Sequence, residues 1–188
     1  MAKSILLTGY PGIGKTTIIK HIIAGLGDRA GGFYTEEIVG AGGRHGFKLI
    51  TLAGKEVTIA HKDFRSPTVP RVGRYGVDVP AIERVGVRAL RRAMAERKII
   101  IVDEIGSMEL FSQAFQDTVM EAIMGEHHVI GSIMGSPQPE ADAFKFLAQV
   151  EVREIDRRNR DDMPARILKW VATTVTSPRA AAQPVESE

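Results

Sequence analysis

The stretch Gly9-Tyr10-Pro11-Gly12-Ile13-Gly14-Lys15-Thr16 constrains this chain more than any other feature, because it fits G-x-x-x-x-G-K-[ST] without a mismatch. Its surroundings support the pattern. Ile5-Leu6-Leu7 precedes it as a short apolar strand, and Thr17 to Ile23 follows as a helix-like stretch. A phosphate-binding loop has to join the end of a buried strand to a helix start, where unpaired backbone N–H groups and the helix dipole attract an anion. Glycines let the backbone fold around that anion. The Lys15 ammonium can then reach the β- and γ-phosphates, and the Thr16 hydroxyl can ligate Mg²⁺. A glycine-rich turn with an incidental Lys-Thr would need neither the strand before nor the helix after. The expected nucleotide-binding set is therefore Gly9, Tyr10, Pro11, Gly12, Ile13, Gly14, Lys15, Thr16 and Thr17.

At 188 residues the chain suits one well-buried domain, expected over residues 1–176. The tail 177–188, with two prolines and an alanine run, reads as disordered. A hydrophobic share of 44 % and a charged share of 26 % are ordinary for a soluble globular protein. The formal net charge of +2 is too small to argue for a nucleic-acid partner, whose binders show a clustered basic face. With no cysteine, disulfides, thiolate metal sites and a Cys nucleophile are excluded. Met1-Ala2-Lys3-Ser4 leads straight into a strand, and no apolar run approaches membrane-spanning length. A cytoplasmic protein without signal peptide or membrane partner is the expectation.

Lys15 to Leu26 has Ile18, Ile19, Ile22, Ile23 and Leu26 at helical spacing, closed by Gly25 and Gly27. From 31 to 60 the period changes to short β-like runs separated by Gly40-Ala41-Gly42-Gly43 and Ala53-Gly54-Lys55, which reads as an inserted antiparallel hairpin region. Glu36 and Glu37 within it suit either a general base or, more simply, solvent-facing strand carboxylates. Residues 61–79 show little periodicity and read as an irregular loop, carrying Arg71 and Arg74 as possible phosphate partners. Pro80 opens a helix to about Glu96. Lys98 to Val102 is a continuous apolar strand of the kind buried on both faces of a parallel sheet. Glu109 to Gly125 reads as a helix, His127 to Ile133 as a strand, Gln149 to Ile155 as another, and Arg157 to Thr173 as a last helix. The His127-His128 pair alternates faces, so the two do not readily ligate one metal. This alternation implies an α/β layer structure with a mostly parallel sheet.

The second half of a nucleotide site follows Ile99-Ile100-Ile101-Val102. Asp103 emerges at the strand's C-terminal end, where open α/β sheets gather their ligands, and can share a metal with Thr16. Glu104 beside it can orient and deprotonate a water in line with the γ-phosphate. Metal ligation is thus expected of Thr16 and Asp103, catalysis of Lys15 and Glu104, and further nucleotide contact of Ile105 and Gly106.

At Asp103-Glu104-Ile105-Gly106-Ser107-Met108-Glu109-Leu110 the sequence resembles the small cancer-related nucleoside-triphosphatase family, P-loop proteins found from archaea and bacteria to humans. That family pairs a G-x-P-G-x-G-K-T-T loop, matched at Gly9 to Thr17, with D-E-I-G-K-M-E-L, and carries G-F-Y-T-E-E, matched at Gly32 to Glu37. Gly46-Phe47, Thr51-Leu52, Val72-Gly73 and Asn159-Arg160 match as well, so the likeness spans residues 4–172. The resemblance implies a RecA-like core with an inserted β-hairpin region. It also implies slow, Mg²⁺-dependent hydrolysis of nucleoside triphosphates such as ATP and GTP, with broad base tolerance. One departure is Ser107, where the family usually has lysine. Two other readings stay open on the residues alone. One is a nucleoside or nucleotide kinase with an arginine-rich lid at 153–160; the other is a nucleotide switch or RNA-associated module. For base selectivity the candidates are Asn159 and Arg160.

Overall fold

The computed structural model describes residues 3–175; the tail expected from 177 lies outside them. β1 (Ser4–Thr8) runs into the glycine loop and then α1 (Lys15–Leu26). Five strands follow: β2 (Ala30–Gly40), β3 (Gly43–Thr51), β4 (Glu56–His61), β5 (Arg71–Val72) and β6 (Tyr75–Val77). A helical segment then starts as α2 (Val79–Ala81), loosens through a π turn (Ile82–Val87) and continues as α3 (Arg88–Ala95). β7 (Ile99–Ile105), α4 (Gln113–Met124), β8 (Val129–Ile133), α5 (Pro139–Lys145), β9 (Val150–Glu154) and α6 (Met163–Thr174) complete the described chain.

All these strands join one sheet in the order β5-β6-β4-β3-β2-β7-β8-β1-β9. From β2 through β7, β8 and β1 to β9 the pairing is parallel, and from β2 outward through β3, β4, β6 and β5 it is antiparallel. The antiparallel region expected after α1 is present and continues the same sheet. Ala30 to Tyr34 pair with β7 while Phe33 to Gly40 pair with β3, so β2 belongs to both halves. The extension also runs beyond residue 60. The stretch expected as an irregular loop contains β5 and β6, strands of two and three residues too short to show a period.

Alternation within the parallel strands builds a core on each face. Ile5, Leu7, Ile99, Ile101 and Ile130 meet α1 and α6 on one side. Leu6, Ile100, Val102 and Ile133 meet the π turn, α3, α4 and α5 on the other. The helix starts follow capping chemistry. Asp78 accepts from the Ala81 N–H at 2.9 Å with Pro80 in the first turn, as expected. Ser112 accepts from the Phe115 N–H at 3.0 Å and starts α4 there, so the expected helix from Glu109 opens instead with a separate 3₁₀ turn, Glu109–Phe111. The last helix starts at Met163 rather than Arg157, because Asp156 and Asn159 fold the intervening residues into a turn by bonding each other's backbone or side-chain groups. Gly25 does not end α1: a Cβ there would lie 2.6 Å from Leu168, so it lets α6 approach, and Gly27 at φ 54° supplies the cap. Among the described residues no helix is long and apolar enough to cross a membrane.

Candidate phosphate-binding and hydrolytic site

The loop between β1 and α1 has the backbone its sequence requires. Gly9, Gly12 and Gly14 sit at φ 143°, 78° and 109°, values that other residues rarely adopt. At Gly12 and Gly14 a Cβ would meet nothing within 4 Å, so the glycine requirement there is conformational. At Gly9 it is also steric, since a Cβ would lie 2.7 Å from the Ile155 carbonyl oxygen. Ile13 N–H donates to the Tyr10 carbonyl at 3.2 Å and Ile18 N–H to that of Gly14 at 3.0 Å. Lys15 is half-buried and donates through Nζ to the Gly9 carbonyl at 3.1 Å, closing the loop on itself. Tyr10 and Pro11 are exposed, Tyr10 at 81 %, and Thr17 is exposed on the first turn of α1.

Parallel register brings the second carboxylate set to the same end of the sheet. Val102 pairs with Gly131 and Leu7 with Ser132, so the ends of β7, β8 and β1 lie side by side. Asp103 is two residues past Ile101 and continues the row facing α1. It is buried, and its Oδ1 accepts a hydrogen bond from Ser132. Its Oδ2 is buried with no hydrogen-bond partner among the described residues. Burial pushes the Asp103 pKa up; the Ser132 and Thr16 hydroxyls and the Lys15 and Lys20 charges pull against it. A buried carboxylate oxygen left open beside a threonine hydroxyl suits a hard divalent cation. No group of three or more acidic or histidine ligands occurs among the described residues. A metal here would thus draw most of its coordination from phosphate and water, the habit of Mg²⁺.

Glu104 follows across a cis peptide bond and is partly exposed. Burial raises its pKa and so does the Asp103 charge, against Lys15, which lowers it. The Ile105 side chain is fully buried in the core on the face away from α1, and its carbonyl accepts from Met134 N–H at 3.1 Å. Gly106 is buried beside Glu104 and Glu109, with a Cβ there falling 3.1 Å from Glu109 Oε2.

Two polar residues at this end were not singled out by sequence. Ser132 is one, and the clue available was a hydroxyl inside an otherwise apolar buried strand. Glu109 is the other. Its carboxyl is buried and its pKa is pushed up to about 8, chiefly by burial, with Glu104 and Asp103 adding to the rise and backbone N–H groups opposing it. Ser107, at the position of the usual lysine, donates to Gln138 Oε1 at 3.2 Å and brings no charge.

Several candidates lie elsewhere. Glu36 pairs with Lys20 and Lys48, and Glu37 with Arg44, so both act as strand-surface ion-pair partners. Arg71 donates to the carbonyls of Phe64 and Arg74, and Arg74 to Tyr75 Oη and the Arg44 carbonyl. Both lie at the β5–β6 edge, seven strand spacings from β1, roughly 33 Å at about 4.7 Å each. Neither reaches the loop of its own chain. Asn159 closes the turn before α6, and Arg160 pairs with Asp161. His21 is exposed, and His128 packs edge-on to Trp170.

Comparison with known proteins gives a consistent answer. A family model described as NTPase matches residues 4–168. The nucleoside-triphosphatase THEP1 of Thermotoga petrophila is 45 % identical over 164 residues, which is 87 % of this chain and 90 % of that protein. The crystal structure of THEP1 from the hyperthermophile Aquifex aeolicus matches with a TM-score of 0.80 at 39 % identity, covering 89 % of this chain and 98 % of that one. The solution structure of a human cancer-related nucleoside triphosphatase matches with a TM-score of 0.76 at 32 % identity, covering 95 % and 100 %.

Proposed function

This chain belongs to the nucleoside-triphosphatase family, and from that premise we propose a Mg²⁺-dependent hydrolase that converts nucleoside triphosphates to diphosphate and phosphate, slowly and with little regard for the base. One observation carries the reading: Lys15, Thr16, Asp103 with its open Oδ2, and Glu104 meet at the C-terminal ends of adjacent parallel strands.

The loop amides and the α1 N-terminus would hold the β- and γ-phosphates. Lys15 gives up its contact with the Gly9 carbonyl for a phosphate oxygen and stabilises the charge that spreads over the transferred group. Thr16 and Asp103 would hold Mg²⁺, which supplies neutralisation of the phosphate oxygens when bound. Ser132 holds Oδ1 of Asp103, which leaves the buried Oδ2 free for the cation. Glu104 accepts the proton of the attacking water as the new P–O bond forms and the β–γ bridge bond breaks, leaving the diphosphate. Its raised pKa makes it a stronger base than an exposed carboxylate, while Lys15 keeps it ionised enough to act. Slow turnover fits a site whose charge stabilisation in cis comes from Lys15, with a neutral Ser107 and with Arg71 and Arg74 engaged far away. Base tolerance fits a loop that contacts phosphates through backbone.

The test is phosphate release from ATP and GTP with Mg²⁺ and no acceptor, for wild type and Glu104→Ala, with nucleotide binding measured alongside. Steady release that falls about 100-fold or more in the variant, with binding retained, is the expected result. Release that EDTA leaves intact would remove the metal. No release by wild type until a nucleoside or nucleotide acceptor is added would make the protein a kinase.

A further inference from the structure

The end of the sheet opposite the phosphate loop holds a cleft of about 660 Å³. It opens beneath the first residues of β2 and β7, between α1 on one face of the sheet and the π turn with α3 on the other. The parallel strands run from this end toward the catalytic end. From Lys98 to Asp103 that is roughly 17 Å at about 3.3 Å per residue.

The charge in this cleft is clustered. Arg84, Arg88 and Arg92 follow one another by a helical turn along a single wall, and Lys55 and Lys98 join them from the β3–β4 turn and the start of β7. Only two carboxylates, Asp28 and Glu96, line the same space. The resulting excess of three positive charges is larger than the net +2 of the whole chain. Glu96 is already held, by Arg92 at 2.6 Å and Lys98 at 2.9 Å. Lys55, Arg84 and Arg88 are exposed, and their side chains have no ion pair or hydrogen bond with the described residues. Cations one turn apart on a helix repel each other, a cost that a bound polyanion removes.

The remaining walls are of a different character. Leu52, Val85, Ala89 and Ala93 give an apolar lining, and Gly31 and Gly32 add flat backbone without side chains. On the α1 side stand Asp28 and the last turn of the helix, which offer acceptors rather than donors. A space of this size, cationic on one wall, apolar along its lining and acceptor-rich on the other wall, matches a phosphate group carrying a flat, donor-bearing body.

We propose that this cleft is a second ligand site, for a mononucleotide-sized phosphorylated molecule whose phosphates lie among Lys55, Arg84 and Arg88. It shares no residue with the phosphate loop, so its fate is independent of the catalytic reading.

Calorimetric titration of the full chain with GDP at low salt tests it. Wild type binds two equivalents, and Arg84→Glu/Arg88→Glu binds one, the remaining one being weakened by Lys15→Ala. At the second site Lys55→Glu alone, acting from the opposite element, weakens GDP about 10-fold or more. Pyrophosphate competes there less well than GDP, because it leaves the apolar lining uncovered. A single equivalent in wild type, or two in the arginine double variant, overturns the site. Pyrophosphate binding as tightly as GDP overturns the nucleoside part of the proposal. Circular dichroism melts of each variant establish that it is folded, and the Lys55, Arg84 and Arg88 side chains are exposed.

Discussion

The parallel and antiparallel halves of the sheet treat charge in opposite ways. Within the antiparallel strands the charged side chains have partners. Glu36 is held below the usual carboxylate range by Lys20 above all and then Lys48; Glu37 meets Arg44; Lys48 also meets Glu56. Arg44 and Arg74 converge on the Tyr75 hydroxyl. At the C-terminal end of the parallel half three carboxyls are packed near one another, and burial pushes every one of them up. Leaving buried acceptors open and bringing like charges together is unfavourable for folding. Groups held in that state are prepared to bind a cation or take a proton, which is why perturbed carboxyls concentrate where chemistry occurs. The antiparallel half stabilises the sheet, and the parallel half spends part of that stability on reactivity.

If this division holds, the largest effect comes from Lys15, the cation that acts on both Asp103 and Glu104. Lys15→Ala should lower the rate of phosphate release by about 100- to 1000-fold, the usual consequence of losing one charged donor to a developing oxyanion. It should also raise the Glu104 pKa further, because Lys15 is what opposes the rise. The alkaline shift of the rate profile's acid limb measures that. A rate within a few-fold of wild type would mean that the carboxyl end is not where phosphate reacts.

Glu109 sharpens the comparison through stability instead of rate. Its folded pKa is about 8 against an ordinary value of 4.5. Between those pH values the folded protein keeps a proton that the unfolded chain releases, so the contribution to stability is complete below about pH 4.5 and is lost as pH rises toward 8. Glu109→Gln has no proton to lose. Denaturant melts of metal-free protein from pH 5 to pH 8 should show wild type losing on the order of 2–4 kcal/mol relative to this variant. Parallel pH profiles for the two proteins would place Glu109 in contact with water or a cation.

What could be read from sequence follows the same boundary. The glycine loop, the apolar strand ending in Asp103-Glu104 and the alternation of strand with helix are local patterns, each set within about ten residues, and local patterns survive in a linear string. Glu109 could not be read that way, since it sits in an amphipathic stretch and becomes buried only because Ser112 caps a new helix and turns the chain inward. Ser132 became visible only when β8 was set between β7 and β1. The merging of the antiparallel strands into the main sheet depends on β2 pairing in both directions, locally with β3 across a hairpin but with β7 over a long separation, Ala30 meeting Ile99. By strict alternation Ile105 would share the face of Ile101 and Asp103, but the β7–β8 register shifts between Val102 and Ile105, and its side chain enters the opposite core.

Ser132 gives a smaller effect than Lys15 because it acts through Asp103. Ser132→Ala leaves both Asp103 oxygens without a protein donor other than the nearby Thr16 hydroxyl. Groups that orient a ligand in this way are typically worth about 10- to 100-fold in metal affinity. The expected result is a Mg²⁺ requirement shifted upward by that factor, with the rate largely recovered at saturating Mg²⁺. Loss of rate that added Mg²⁺ does not restore would make Ser132 part of the reacting set.

The smallest effect falls on the antiparallel half, where two arginines were plausible phosphate partners by composition alone. Each has its guanidinium committed: Arg71 bridges the Phe64 and Arg74 carbonyls, and Arg74 bridges Tyr75 Oη and the Arg44 carbonyl. These bonds tie β5 and β6, strands of two and three residues, to the rest of the sheet, and so short a ribbon has little other reason to persist. Arg71→Ala and Arg74→Ala should therefore each cost roughly 1 kcal/mol of stability through lost hydrogen bonds. Phosphate release per folded molecule should stay within about twofold of wild type, because the edge strands stand far from the loop. The opposite pattern, full stability with a rate falling about 10-fold or more, has only one physical route at that distance. An arginine of one molecule would have to enter the site of another, and the loss would then grow as the protein is diluted.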